Sequence, residues 1–128
     1  MKFQLNIYGS PLGSNAAYQA LKFAHLCLEK KHSILRCFFY YDAVYAGLLT
    51  QSPSSDEINM LNNWQKLSVT GTPLFLCIAA ATNRGILDEA ESKRYNQPAA
   101  TADSCFELTG LGQWASGFAD ADRIITFK

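Results

Sequence analysis

The segment that decides the fold reads Thr72-Pro-Leu-Phe-Leu-Cys-Ile-Ala-Ala-Ala-Thr-Asn-Arg-Gly-Ile86. Its apolar run from Leu74 to Ile78 is uninterrupted, and Pro73 precedes it, where a strand tolerates the missing N–H group. A short continuous apolar run is typical of a strand covered on both faces, as in parallel α/β sheets. The sequence therefore predicts a buried strand whose carboxyl end carries Cys77 to a loop.

Cys77 has two interpretations at this position. Ligands bind outside the carboxyl ends of the strands in open α/β sheets, so a thiol there is a candidate reactive group. A free cysteine is also among the most buried residue types, and in an apolar strand it often serves as a small hydrophobe. If a helix begins after Cys77, its free N–H groups and positive dipole end favour the thiolate, and Arg84 is near enough in sequence to add charge.

Strands alternate with helices along the rest of the chain. Strand patterns cover Phe3 to Tyr8, Ser33 to Tyr41, Phe106 to Thr109 and Asp122 to Phe127. Helical patterns run from Ser14 or Asn15 to about Lys31, from a capping box at Ser54 and Glu57 to Val69, and from Gln113 to Ala119, with Trp114, Ala115 and Phe118 on the apolar side. Shorter helical patterns occur near residues 41–49 and 88–93. This alternation predicts a three-layer α/β fold with a five-stranded, mainly parallel sheet.

The carboxyl ends of parallel strands meet at one edge of a sheet, and that edge collects the polar and glycine-rich segments. The segments expected there are Gly9 to Gly13, Tyr41-Asp42, Cys77 to Arg84 and Gly110 to Gly112. Neither glycine segment completes a P-loop or a dinucleotide-binding fingerprint, so simple turns explain them better.

The composition limits the classes of partner. Apolar residues make up 48% of the chain and charged residues 17%, and eleven basic residues balance eleven acidic ones. There is no electrostatic footprint for a nucleic-acid backbone or an anionic membrane. No apolar run reaches the roughly 18 residues of a membrane span, and the beginning of the chain has no signal-peptide core, so we expect a cytoplasmic location. The low charge, with apolar surface at Tyr45, Leu48, Leu49 and Trp114, predicts assembly with other subunits.

The remaining cysteines and the histidines predict neither a metal site nor a disulfide framework. The four cysteines form no C-x-x-C pair, and the two histidines are seven residues apart without further ligand spacing. Cys27 falls on an apolar helical stripe and Cys37 lies in the middle of a strand, so both are predicted to be structural. Cys105 lies at the edge of a loop and is the rival of Cys77 for reactivity.

Several segments in order along nearly the whole chain match a known family. They are the Met1-Lys-Phe strand, Arg36-Cys-Phe-Phe-Tyr-Tyr-Asp-Ala-Val-Tyr45, Thr50-Gln-Ser-Pro-Ser-Ser-Asp56, Cys77-Ile-Ala-Ala-Ala-Thr-Asn-Arg-Gly-Ile86 with Asp88-Glu89, Leu108-Thr-Gly-Leu-Gly112 and Asp122-Arg123. Together they resemble the DsrE/TusD family of sulfurtransferase subunits, and within it the TusD branch most. The resemblance implies a single DsrE-like domain over residues 1–128 and a cysteine that carries sulfur as a persulfide. The cysteine that opens the family's Cys-x-Ala-Ala-Ala segment corresponds to Cys77.

The resemblance also implies partners. Family members assemble with TusB-like and TusC-like subunits in a heterohexamer, take sulfur from a TusA-like donor and deliver it to a TusE-like acceptor. In the TusD branch the relay serves 2-thiolation of the tRNA wobble uridine, and in the DsrE branch it serves dissimilatory sulfur oxidation. Persulfide exchange depends on thiols alone, so we expect no metal, flavin or nucleotide cofactor. We also expect no direct tRNA binding, because the chain has no basic stripe.

Two other classes of function stay open at the level of sequence. One is a flavodoxin-like module that binds a nucleotide or flavin at the same sheet edge, with Cys77 incidental to binding. The other is an inert scaffold subunit whose paralogue carries the sulfur.

Overall fold

The computed structural model describes all 128 residues. Its elements in chain order are β1 (Lys2–Ile7), α1 (Ala16–Glu29), β2 (Ser33–Phe39), a 3₁₀ helix (Tyr41–Gly47), α2 (Met60–Val69), β3 (Leu74–Cys77), α3 (Ile78–Asn83), α4 (Glu89–Arg94), β4 (Glu107–Thr109), α5 (Leu111–Asp120) and β5 (Arg123–Phe127). All the predicted strands are present, each with bounds within two residues of those expected. None of the helices has both the length and the apolar composition that crossing a bilayer requires.

The strands form one sheet in the order β4-β3-β2-β1-β5, and every neighbouring pair is parallel. The prediction of an α/β fold with a five-stranded sheet is therefore confirmed. Because all the strands point the same way, their carboxyl ends share one edge of the sheet.

The side chains of β1 alternate between a layer with α1 and a layer with α5. Phe3 meets Phe23 of α1 edge-to-face, with 5.5 Å between the ring centroids. Its neighbour Gln4 points the other way and donates from Nε2 to the carbonyl oxygen of Trp114 in α5, at 3.0 Å. The two helices thus cover opposite faces of the sheet, which gives the predicted three layers.

Helix α2 begins later than the capping box at Ser54 and Glu57 predicts, so that boundary is wrong. The N-cap is Asn59, whose Oδ1 accepts a hydrogen bond from the backbone N–H of Asn62 at 3.2 Å. Residues 52–58 are all exposed, so no apolar contact supports a helical turn there. The Ser54 carbonyl instead accepts a hydrogen bond from the N–H of Glu57 in a turn.

Helix α5 docks on the sheet through polar groups, and the expectation that Phe118 faces the core is wrong. Phe118 is 61% exposed, whereas Gly117 is buried so close to Gln4 that a Cβ there would overlap the Gln4 side chain. The buried guanidinium of Arg36 donates hydrogen bonds to the carbonyl oxygen of Gln113 and, at 2.6 Å, to Oγ of Ser116. The sheet presents Gln4 and Arg36 to this helix, so much of the contact face of α5 is polar. Trp114 packs partly buried against the core, and Phe118 faces outward.

Candidate functional site

Cys77 is the last residue of β3 and the N-cap of α3. The apolar run that builds the strand ends there because the backbone turns directly into the helix that Ile78 begins. Both predictions about this position, a strand end and a following helix, are confirmed. The side chain is 1% exposed and forms no capping hydrogen bond. The site is therefore a buried thiol at the chemically favoured edge of the sheet, beside the first turn of a helix.

Arg84 joins two of the segments that the sequence places at this edge. Its Nε donates to Oδ1 of Asp42 at 3.0 Å, which forms an ion pair, and its NH1 group donates to the carbonyl oxygen of Ala80 at 3.0 Å. Asp42 lies in the 3₁₀ helix, and Arg84 is the C-cap of α3. The expectation that Arg84 adds charge at Cys77 stays a prediction, and Asp42 partly compensates this guanidinium. The contact also ties the 3₁₀ helix to the end of α3.

The thiols of Cys27 and Cys37 lie inside the core, as predicted. Cys37 is fully buried in β2, and burial raises its pKa far above the ordinary value. Cys27 is buried on α1, and burial raises its pKa although the positive charge of the chain's amino terminus opposes the shift. Both groups are poor nucleophiles near neutral pH, because the thiolate is the reactive form.

Cys105 is half-buried at the opposite end of the sheet, in the turn before β4. Burial, a hydrogen bond to Asp103 and the negative charge of Asp103 raise its pKa to about 12. The Asp103 carboxylate is itself fixed by the N–H of Cys105 at 3.0 Å and by Nε2 of Gln65 at 3.0 Å. The rival thiol is thus more accessible than Cys77, but its environment disfavours the thiolate.

Thr109 belongs to the site although sequence analysis gave it no role. It is the residue of β4 paired with Cys77 of β3 in the parallel register, so both side chains project from the same face of the sheet. The only sequence signal was that Leu108-Thr-Gly follows a strand pattern, and a strand pattern does not specify its cross-strand partner.

Comparison with known proteins identifies the family. The model of the DsrE/DsrF-like family matches residues 1–127. The chain belongs to the DsrE/DsrF-like family. Among proteins of this kind, it is 39% identical over 128 residues to Sulfurtransferase TusD of Salmonella newport (strain SL254), an alignment that covers 99% of this chain and 100% of that protein. Sulfurtransferase TusD of Salmonella typhi gives the same identity and coverage.

A solved structure gives the same result for the fold of this DsrE/DsrF-like chain. The crystal structure of ychN protein from E. coli matches with a TM-score of 0.80 and 26% sequence identity, over 99% of each chain. The predicted DsrE-like fold is confirmed by this match, and the predicted activity class, sulfurtransferase, is confirmed by the full-length relatives.

Proposed function

We propose that this chain carries a sulfane sulfur as a persulfide on Cys77 and relays it to an acceptor protein for 2-thiolation of the tRNA wobble uridine. The observation that supports this best is the contrast among the thiols. Cys77 lies at a strand end and a helix N-cap, at the sheet edge where ligands bind in α/β folds, whereas Cys27 and Cys37 lie inside the core and Cys105 lies at the opposite end of the sheet beside Asp103. The full-length relatives named Sulfurtransferase TusD support the choice of sulfur as the transferred atom.

The chemistry of such a relay conserves atoms and electrons in each step. The Cys77 thiolate attacks the terminal sulfur of a donor persulfide, R–S–SH. A new sulfur–sulfur bond forms at Cys77, the donor's sulfur–sulfur bond breaks, and the donor leaves as the thiolate R–S⁻. An acceptor thiolate then attacks the terminal sulfur of Cys77–S–SH in the same way and restores the Cys77 thiolate. Thiolate fraction, nucleophilicity and access control both steps.

The fold restricts access of a donor or acceptor thiol to Cys77, because this residue is only 1% exposed. The proposal therefore includes a movement of the 3₁₀ helix relative to α3 when a donor or acceptor protein docks. The direct polar tie between these elements is the ion pair of Asp42 and Arg84, whose side chains are 59% and 23% exposed. Partly exposed ion pairs contribute only about 0–1 kcal/mol. The larger cost of this movement is the exposure of Ala43, Val44 and Ala46, which the 3₁₀ helix buries in the core, so the binding energy of the docking protein has to supply it.

The partners belong to the same proposal. A single domain over residues 1–128 would work with TusB-like and TusC-like subunits in a heterohexamer, take sulfur from a TusA-like donor and pass it to a TusE-like acceptor, in the cytoplasm. Outward-facing apolar side chains support assembly: Leu49 is 51% exposed and Phe118 is 61% exposed. Direct binding of tRNA by this chain alone is not part of the proposal, since the net charge is zero.

Complementation of a deletion strain tests the proposal. Wild-type and Cys105→Ser chains should restore 2-thiouridine in tRNA, and Cys77→Ser should not. If Cys77→Ser restores thiolation fully, the chain acts as a scaffold and the sulfur assignment is wrong. If the deletion leaves tRNA thiolation intact, the relay serves another sulfur acceptor.

A further inference from the structure

The hydroxyl of Thr109 is a buried polar group with no hydrogen-bond partner within the chain. Its Oγ1 is one of four side-chain polar atoms that the fold buries without a partner. Most buried polar groups are paired, and leaving one unpaired costs about 1–3 kcal/mol. A threonine hydroxyl both donates and accepts, so almost any polar atom within reach would satisfy it. The fold tolerates an unfavourable group at this position.

The register of the sheet shows which residue lies beside Thr109. Thr109 ends the edge strand β4 and pairs with Cys77, the last residue of β3. Neighbouring strands lie about 4.8 Å apart, and paired residues of parallel strands project from the same face. Cys77 also makes no capping hydrogen bond with its side chain. A buried thiol and a buried hydroxyl are therefore neighbours, and neither is satisfied by the other.

We propose that the hydroxyl of Thr109 forms a hydrogen bond with the terminal sulfur of the persulfide on Cys77. This inference rests on the proposed function, because it requires Cys77 to be the carrier. Loading adds a second sulfur about 2.05 Å beyond Sγ, the length of a sulfur–sulfur bond. That atom supplies the partner that Oγ1 lacks in the empty chain. Thr109 thus stabilises the loaded state relative to the empty one and fixes the direction of the terminal sulfur.

This role predicts opposite effects on loading and on folding. Replacing Thr109 with valine removes the hydroxyl at nearly constant shape. The empty protein should be equally stable or more stable, since an unsatisfied buried group is removed. The loaded state should lose its hydrogen bond. A residue that only supports the fold would not produce this combination.

Exchange with glutathione persulfide measures the loaded state directly. The full chain is incubated at a fixed ratio of glutathione persulfide to glutathione, so that Cys77–S⁻ and GS–SH equilibrate with Cys77–S–SH and GS⁻. Intact-mass spectrometry then gives the loaded fraction. We expect Thr109→Val to lower the exchange equilibrium constant by about tenfold, the effect of one ordinary hydrogen bond, while Thr109→Ser stays close to wild type. Thr109→Ala is a second variant without the hydroxyl, in case the valine does not fold.

Two controls separate the possible failures. Thr126→Val removes a threonine hydroxyl from β5, the opposite edge strand, and should leave loading unchanged. Equal loading of wild type, Thr109→Val and Thr109→Ala would overturn the inference. It would also be overturned if Thr109→Ser lowered the exchange equilibrium constant as much as Thr109→Val does. In either case the proposed function stands if Cys77→Ser does not load. A Cys77→Ser chain that loads like wild type contradicts both, as does a wild-type chain that takes up sulfur neither from glutathione persulfide nor from a persulfidated donor protein.

Discussion

Asp103 suppresses the reactivity of Cys105, and removing its charge should release that thiol. Burial, the hydrogen bond to Asp103 and its negative charge together raise the pKa of Cys105 to about 12 from an ordinary value of 9.0. At pH 8 a thiol with the ordinary value is about one-tenth ionised, and one with a pKa of about 12 is about one ten-thousandth ionised. The thiolate of Cys105 is therefore about 1,000-fold scarcer than it would be in water.

The variant Asp103→Asn keeps the size of the side chain and one oxygen, which can still accept from the N–H of Cys105, but it removes the charge. Its NH₂ group replaces the oxygen that accepts from Gln65, whose side-chain amide can turn to accept instead of donate. Burial still raises the pKa, so only part of the shift disappears. We expect alkylation of Cys105 at pH 8 to accelerate by about tenfold, the effect of one pKa unit on a scarce thiolate. Limiting iodoacetamide followed by peptide mass spectrometry measures the rate, and thermal unfolding shows whether the variant is folded under the assay conditions.

Asp122→Asn is the matched control, because the Asp122 carboxylate accepts from the N–H of Lys2 at 2.7 Å, away from Cys105. The alkylation rate of Cys105 in Asp122→Asn should equal that in the wild-type protein. An unchanged rate in a folded Asp103→Asn protein would refute the electrostatic argument. Equal acceleration in both variants would show that loosened structure, not charge, exposes the thiol.

Three further predictions concern the packing and the surface. Gly47→Ala should destabilise the fold by about 1–3 kcal/mol in urea unfolding, because its Cβ would lie 2.5 Å from Cδ1 of Leu76. Gly112→Ala should be neutral or stabilising, because a Cβ at Gly112 would have no atom within 4 Å. Equal losses of stability in both variants would contradict the packing argument. Arg36→Met should lower the free energy of unfolding by about 1–3 kcal/mol and speed hydrogen exchange in α5, because the carbonyl of Gln113 loses its buried donor. Unaltered exchange in α5 would show that polar contacts do not hold the helix on the sheet. The chain alone should bind tRNA only weakly at physiological salt in filter-binding assays, and sub-micromolar affinity would refute the argument from zero net charge.

Much of the fold follows from local pattern. Uninterrupted apolar runs and alternating strands place every strand correctly, because burial on both faces leaves few other arrangements. The errors occur where tertiary context decides. The capping box at Ser54 is a valid local signal, but no apolar face follows it closely enough to bury a turn. Phe118 points outward because the sheet presents Gln4 and Arg36 to α5, and the sequence of the helix does not show its partner surface.

The candidate site also has some features that local sequence predicts and others that only the fold shows. Cys77 could be placed at a strand end and a helix start from the sequence, because both are local features. Its burial, the pairing of Arg84 with Asp42 and the cross-strand pairing with Thr109 depend on residues far apart in the chain. The low thiolate fraction of Cys105 also could not be predicted from its position in a loop, because burial and then Asp103 raise its pKa.

The most direct test of the account is the location of the transferred sulfur. Wild-type, Cys77→Ser and Cys105→Ser chains are incubated with a persulfidated donor protein, digested and analysed by peptide mass spectrometry. We predict one added sulfur on the peptide that contains Cys77 in the wild-type and Cys105→Ser proteins, transferable to an acceptor thiol, and none in Cys77→Ser. If Cys77→Ser accepts and passes on sulfur while Cys105→Ser does not, Cys77 is not the sulfur carrier.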